Sequence, residues 1–181
     1  MMNQRIHTQD LTKMALLTAL LCASAYIIIP IPFSPVSVTA QTLVVNLIAF
    51  LLTPGQAAIT VLAYLLIGLV GLPVFSGAGA GPGVLLGPTG GYLISWAPAA
   101  ALIAFLKGRE YNLPRFCGAA IFAGMPVIYL FGSIYMKLLT GMTWSATLTA
   151  AVLPFIPLDV FKCVAAGLIA RPIRYALRQT C

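Results

Sequence analysis

Charged residues are scarce in this 181-residue chain, and their scarcity excludes most classes of soluble protein. Asp, Glu, Lys and Arg together make up 7% of the sequence, against about 25% in a typical soluble domain. Hydrophobic residues make up 61%, and the mean hydropathy is +1.02. This composition indicates an integral membrane protein.

Residues that do chemistry are also few. The chain has one histidine, His7, and three acidic residues. Its four cysteines show no CxxC or other metal-binding spacing, and no HExxH motif is present. The glycine-rich stretch at 74–83 lacks the lysine and hydroxyl of a phosphate-binding GxxxxGK[ST] loop. We therefore expect no catalytic residues, no metal site, no cofactor and no use of ATP by this chain alone.

Apolar segments broken by proline and glycine fill the rest of the chain. A membrane-spanning helix needs about 20 apolar residues. The sequence predicts a single all-α, polytopic membrane domain over 1–181, with six transmembrane helices. The predicted helices cover about 11–29, 38–52, 56–70, 84–106, 116–139 and 144–170.

Basic residues outnumber acidic ones by ten to three and cluster outside the apolar segments or at their ends, with the exception of Lys162. With six crossings, one side of the membrane carries eight of them and the other side carries Lys137. Cytoplasmic segments are enriched in Lys and Arg, so we place both termini in the cytoplasm and expect no nucleic-acid partner. The eight are Arg5, Lys13, Lys107, Arg109, Arg115, Arg171, Arg174 and Arg178.

The stretch PFIPLDVFK, residues 154–162, holds the two charges of the last apolar segment. A charge at membrane depth costs at least about 2.5–3.5 kcal/mol on insertion scales, so Asp159 and Lys162 need a partner, a cavity or a ligand. A spacing of three puts them on one helix face. Three interpretations stay open here: a structural ion pair, a proton or ion relay, and recognition of a polar ligand.

Uncharged polar and aromatic residues supply further candidates for a ligand site. Two nearly uncharged loops, at about 30–37 and 72–83, are predicted to cover a pocket on the outer face. Apolar ligand bodies usually pack against aromatic side chains in such pockets. The candidate polar residues are Gln41, Asn46, Thr89 and Tyr92, and the candidate aromatic residues are Phe33, Phe75, Tyr92 and Trp96.

Helix 1 carries small residues four apart, at Ala15, Ala19 and Ala23. Such a stripe lets another helix approach closely. The stripe serves either packing within the chain or docking to a separate membrane subunit.

Four motifs lie in order along the chain: PIPFSPVSVTAQT (30–42), GLPVF (71–75), GPTGGYLI (87–94) and PFIPLDVFK (154–162). Together they resemble the BioY family, the biotin-binding S components of energy-coupling factor transporters. The resemblance implies an outward-facing biotin pocket in a six-helix protein of the bacterial inner membrane. It also implies partners: a transmembrane T component that docks on Ala15, Ala19 and Ala23, and two cytoplasmic ATPase subunits.

The resemblance assigns the family's acid and base in the last helix to Asp159 and Lys162. Given the chemistry of biotin, Asp159 would accept from the ureido N–H groups, and Lys162 would neutralise the valerate carboxylate or bind a polar ligand oxygen. The sequence does not decide which end of biotin each residue meets. Residues 74–106 lack the basic residue that we expect near this loop in some family members. Two other classes remain as alternatives: a small intramembrane enzyme that uses Lys162 with a serine, Ser95 or Ser133, and a proton-coupled carrier that acts alone.

Overall fold

The computed structural model describes residues 8–29 and 37–179, and these ranges are mostly helical. The helices are α1 (Thr8–Ser24), α2 (Gln41–Leu51), α3 (Pro54–Leu69), α4 (Pro82–Leu85), α5 (Gly90–Leu106), α6 (Leu113–Ala119), α7 (Met125–Thr140), α8 (Trp144–Ala151) and α9 (Ile156–Gln179). A π-helical turn, Ala120–Gly124, joins α6 to α7. Two short strands, β1 (Ile28–Ile29) and β2 (Val38–Thr39), pair antiparallel between α1 and α2.

Local sequence signals set several helix ends. The Gln56 side chain accepts a hydrogen bond from the backbone of Thr53, and Pro54 follows in the first turn, where its missing N–H costs nothing. Asn112 caps α6 by accepting from the backbone N–H of Arg115 at 3.0 Å. Gly141 ends α7 in the left-handed conformation, with φ at 69°.

Helix α5 lies at the centre of the bundle and packs against α2, α3 and α7, while α2 packs against α9. Glycines allow the closest of these approaches. A Cβ atom on Gly132 of α7 would lie 2.3 Å from the ring of Tyr92 on α5. A Cβ atom on Gly91 would lie 2.4 Å from Cβ of Tyr135. These two glycines therefore allow α5 and α7 to approach closely.

The outer surface of the bundle is strongly apolar. Phe122 is 82% exposed, Leu138 77% and Phe161 71%. A soluble monomer rarely presents large contiguous apolar patches to water. The exposed apolar side chains are therefore typical of a surface that faces lipid.

By length and apolar composition, one helix in the described part of the chain can cross a membrane: Leu113–Thr140, with 28 residues. The bent pair Trp144–Ala151 and Ile156–Leu177 adds a second if its halves form one span. Helices α2, α3 and α5 are apolar but shorter.

Several predicted helix limits need correction. The segments 11–29 and 38–52 were predicted as helical throughout, but their adjoining ends form β1 and β2. The strand residues are β-branched and flank a proline cluster, both of which disfavour helix. The predicted helix 84–106 is interrupted between α4 and α5, where Gly87 and Pro88 lie.

The predicted helix 144–170 is likewise broken, between Ala151 and Ile156, with a bend of 43° between its halves. Pro154 lies in the break and has no N–H to continue the helix. Pro157 lies in the first turn of α9, where a missing N–H is tolerated. The break places the following residues at the start of a new helix.

Basic side chains cap the C-terminal end of α2. Nζ of the buried Lys107 donates to the carbonyl oxygens of Ala49 and Leu52, and the Arg174 guanidinium donates to that of Phe50 at 2.8 Å. Carbonyls at a helix C-terminus lack partners within the helix. Arg174 also donates to the carbonyl of Arg109, so the 107–115 connection and the C-terminal part of α9 meet at one end of the bundle.

Candidate functional site

The two charges of the last apolar segment form an ion pair inside the bundle. Nζ of Lys162 lies 3.0 Å from Oδ1 of Asp159, and the residues are 9% and 8% exposed. Their spacing of three places both on one face of α9, as the sequence predicts. Because the chain breaks just before α9, Asp159 lies in the first helical turn, where the helix dipole stabilises a carboxylate.

Hydroxyl groups from two other helices complete a polar network around this pair. The Thr42 hydroxyl, on α2, donates to Oδ1 of Asp159 at 3.1 Å and accepts from Lys162 at 3.0 Å. The Tyr129 hydroxyl, on α7, donates to Oδ2 of Asp159 at 2.7 Å. Four side chains from α2, α7 and α9 thus converge on one buried point.

The network leaves hydrogen-bonding capacity on both charged groups. A carboxylate can accept about four hydrogen bonds, and Asp159 accepts three from the described residues. An ammonium group has three protons to donate, and Lys162 donates two of them to residues that the structure describes. The site can therefore take one donor and one acceptor from a ligand without breaking the ion pair.

A small cavity of about 60 Å³ adjoins the ion pair. Its walls come from α2, α5, α7 and α9, together with the β2 region and the break before α9. The lining residues include Ser37, Val38, Thr39, Thr42, Tyr92, Trp96, Ile128, Tyr129, Phe155, Asp159 and Lys162. Ordinary small-molecule pockets measure about 300–1,000 Å³, so a drug-sized ligand enters only if these walls move apart.

Four of the predicted residues meet at this cavity: Asp159, Lys162, Tyr92 and Trp96. The Tyr92 hydroxyl donates to the carbonyl oxygen of Ala151 at 3.1 Å, at the last residue of α8. Tyr92 thereby ties α5 to the break that positions α9.

Two other predicted residues hold the 72–83 loop instead of lining the cavity. Nε2 of the buried Gln41 donates to the Tyr64 hydroxyl at 2.5 Å and to the carbonyl of Val74 at 3.4 Å. The Phe75 ring is fully buried and packs edge-on against Tyr64 at 5.7 Å, above Gly68. These contacts fold the loop down onto α2 and α3.

The remaining predicted residues lie elsewhere. Nδ2 of Asn46 donates to Sγ of Cys163 at 3.4 Å, joining α2 to α9 one turn below the cavity. Thr89 is half-buried at the start of α5 and is absent from the cavity lining. Phe33 lies outside the described residues.

Sequence reasoning missed Thr42 and Tyr129 as polar partners of the ion pair. Thr42 lies within the quoted motif at 30–42, and this was the available signal. Tyr129 lies in an apolar helix without any local motif. Trp96 was predicted only as an aromatic residue that packs against the ligand, and not as a hydrogen-bond donor.

The serine partners of the enzyme alternative make other contacts. The Ser133 hydroxyl donates to the carbonyl oxygen of Tyr129 at 2.5 Å. The Ser95 hydroxyl donates to the carbonyl oxygen of Tyr92 at 2.7 Å. Each serine is thus bonded to its own helix, and the described donor bonds of Lys162 go to Asp159 and Thr42. A serine nucleophile needs an adjacent base, and this arrangement does not provide one.

A larger cavity of about 430 Å³ lies near the far end of α9, lined by Tyr111, Arg171, Pro172, Arg174 and Tyr175. Arg174 is 15 residues beyond Asp159, or about 22 Å along a helix. This cavity is therefore separate from the polar network.

A helical bundle with an apolar outer surface and a buried charged network beside a small cavity is typical of a membrane protein that binds a polar ligand. The BioY family model matches residues 2–179. The chain belongs to the BioY family, as its four motifs predicted. This is a family of transporter S components and not of enzymes.

Known relatives match over nearly their full length. The biotin transporter BioY2 of Lactococcus lactis subsp. cremoris is 32% identical over 182 residues, covering 99% of this chain and 97% of the relative. The biotin transporter BioY of Rhizobium etli is 34% identical, covering 92% and 93%. The fold also matches the crystal structure of the S-component for biotin from an ECF-type ABC transporter. That match has a TM-score of 0.87 and 30% identity, and it covers 97% of this chain and 95% of the other.

Proposed function

We propose that this chain is the biotin-capturing S component of an energy-coupling factor transporter. The single observation that carries the proposal is the buried Asp159–Lys162 pair, which keeps one acceptor and one donor position open beside a cavity. A structural ion pair alone would not need a cavity next to it. Relatives named as biotin transporters, aligned from end to end, indicate the ligand.

Ligand entry requires the walls of the cavity to separate. Biotin is larger than the present space of about 60 Å³. The 72–83 loop is held against α2 and α3 by the bonds from Gln41 and Tyr64 to Val74, by the bond from the Gly81 N–H to the carbonyl of Gly68, and by the buried Phe75 ring. We expect this loop to lift from α2 and α3 when biotin enters from the outer face. Gln41 and Phe75 would then control access, while Asp159, Lys162 and Tyr92 contact the ligand.

The proposed topology has six spans with both termini in the cytoplasm of a bacterial inner membrane. The bonds from Arg174 to Arg109, and from Lys107 to the end of α2, support it because they gather basic segments at one end. Helices α6 and α7 run from that end of the bundle to the opposite end, where Lys137 lies in the last turn of α7. Labelling single cysteines at positions 109 and 141 with an impermeant reagent tests the assignment: position 141 should react from outside and position 109 should not.

The proposed docking surface for a T component is the alanine stripe of α1. Ala15, Ala19 and Ala23 are all exposed, whereas Leu17 and Leu21 on the opposite face are buried in the core. Within the described chain the stripe is therefore not used for internal packing. A smooth helix face that lacks a partner inside the chain suits close packing against a helix of another membrane subunit.

Biotin uptake in cells tests the proposal as a whole. A strain that depends on external biotin would express this chain alone, or together with a T component and two ATPase subunits. We expect active accumulation only with all partners present, and none with an ATPase that cannot hydrolyse ATP. Accumulation by the chain alone that collapses with a protonophore would instead establish a proton-coupled carrier.

A further inference from the structure

Trp96 is a buried hydrogen-bond donor that lacks an acceptor among the described residues. The residue is 5% exposed, and its Nε1 has no hydrogen-bond partner within 8–29 and 37–179. Buried tryptophan N–H groups usually find an acceptor, because an unmet donor loses its bond to water.

The position of Trp96 connects this unmet donor to the ligand site. One face of the indole stacks on Tyr64, with ring centres 6.1 Å apart and planes 27° apart. The same residue lines the cavity that Asp159 and Lys162 also line. Trp96 follows Tyr92 by four residues on α5, so the two aromatic side chains share a helix face.

We propose that the Nε1–H group of Trp96 binds an acceptor oxygen of the ligand, together with the unused proton of Lys162. The proposal rests on the proposed function and extends it to an oxygen-binding subsite made of two donors. A carbonyl oxygen has two lone pairs and can accept both donors at once.

The count of open positions also identifies the part of biotin that binds here. The site offers two donors, on Lys162 and Trp96, and one acceptor, on Asp159. The ureido group presents a carbonyl oxygen beside N–H donors, whereas the valerate carboxylate presents acceptors only. The ureido end therefore matches the site, with its oxygen toward Trp96 and Lys162 and one N–H toward Asp159.

The test compares two matched substitutions. Trp96→Phe keeps an aromatic ring against Tyr64 but removes the N–H donor together with part of the volume of the indole. The control is Trp144→Phe, which changes the chain's other tryptophan; that residue is half-exposed beside Lys137. We expect biotin affinity, measured by calorimetry on purified protein in detergent, to fall about 10-fold in Trp96→Phe, or about 1.4 kcal/mol, and to stay within twofold in the control.

Ligand analogues separate a lost hydrogen bond from altered packing. 2-Iminobiotin replaces the ureido oxygen with a nitrogen that carries hydrogen, while desthiobiotin keeps the oxygen and lacks the ring sulfur. The wild-type preference for biotin over 2-iminobiotin should shrink about 10-fold in Trp96→Phe. The preference for biotin over desthiobiotin should not change. Equal losses for all three ligands would show a packing effect and overturn the proposal.

A second measurement needs no substitution at Trp96. Protein labelled with ¹⁵N-tryptophan gives two indole N–H signals, which Trp144→Phe assigns. Saturating biotin should move the Trp96 proton signal downfield and leave that of Trp144 in place. If wild-type protein binds biotin but the Trp96 signal stays and Trp96→Phe binds normally, this subsite is wrong and the proposed function stands. If folded wild-type protein binds no biotin, both fail.

Discussion

Removing the charges of Asp159 and Lys162 singly and together separates a ligand site from a structural ion pair. Asp159→Asn keeps the shape of the side chain and one acceptor oxygen for Thr42 and Tyr129. Lys162→Met keeps most of the apolar stem. The double variant contains both changes, so neither charge is left without its partner.

The magnitudes follow from the geometry of the pair. At 3.0 Å, with an effective dielectric constant near 20, the attraction between the charges is about 5–6 kcal/mol, most of it offset by desolvation. Breaking a buried pair from one side costs about 3–5 kcal/mol of stability, because it strands the other charge. Replacing both charges is often close to neutral, so we expect the double variant to be more stable than either single variant.

Biotin affinity should follow a different order. Losing one partner of a buried charged contact costs about 2–5 kcal/mol, or about 30-fold to several thousand-fold in Kd. We expect all three variants to bind weakly, including the double variant that regains stability. Lys137→Met is the control, because Lys137 lies over Trp144 and not at the cavity.

The assays are unfolding in mixed detergent micelles, followed by circular dichroism, and biotin titration by calorimetry. A double variant that recovers both stability and biotin binding would refute the site assignment and leave a purely structural ion pair. A double variant that is stable but does not bind biotin is the result that our reasoning requires.

Three further predictions concern other parts of the molecule. Ala19→Leu should leave biotin binding intact but reduce co-purification with a T component and biotin uptake; reduced biotin binding would contradict a docking role. Tyr129→Phe should change biotin affinity by about 1.5–3 kcal/mol, the range for a hydrogen bond to a charged group such as Asp159; an unchanged Kd would show that this hydroxyl plays no part in the site. Burial, and then the Arg174 guanidinium, lower the pKa of Lys107 from 10.5 to about 7. The unfolded chain therefore binds more protons between about pH 7 and 10.5, so the free energy of unfolding should rise with pH across that window. Lys107→Met should flatten this rise, and an equally steep rise in that variant would exclude Lys107 as its source.

The charged part of the site was predictable because a charge inside an apolar segment is a strong signal. Asp159 and Lys162 stand out in the sequence, and their spacing predicts their pairing. Thr42 and Tyr129 do not stand out, because uncharged polar residues are common in apolar helices. Their approach to Asp159 depends on how three helices are rotated and packed.

The π-helical turn Ala120–Gly124 shows why such rotations are hard to predict. A π turn inserts about one extra residue, which rotates everything beyond it by about 100° relative to a regular helix. Tyr129 lies beyond this turn and therefore faces Asp159 only because the turn is present. Nothing in the residues of the turn distinguishes it from an ordinary helical segment.

The breaks within the predicted helices lie at proline and glycine residues, but the predicted helix limits ran through them. Pro154 and Pro157 indicated a bend in the last segment, yet the predicted helix continued through it because its hydropathy is continuous. Gly87 and Pro88 lie between α4 and α5, where the sequence predicted one continuous helix over 84–106 and no bend. Hydropathy reports the solvent around a segment, whereas the backbone break depends on single residues.

The most direct test of the account is equilibrium binding of radiolabelled biotin to the purified chain in detergent, with no T component or ATPase present. The account predicts saturable binding of about one biotin per chain, lost in the Asp159→Asn/Lys162→Met variant while that variant stays folded. Absence of saturable binding by the folded wild-type chain, or undiminished binding by the double variant, would contradict the claim that this cavity captures biotin.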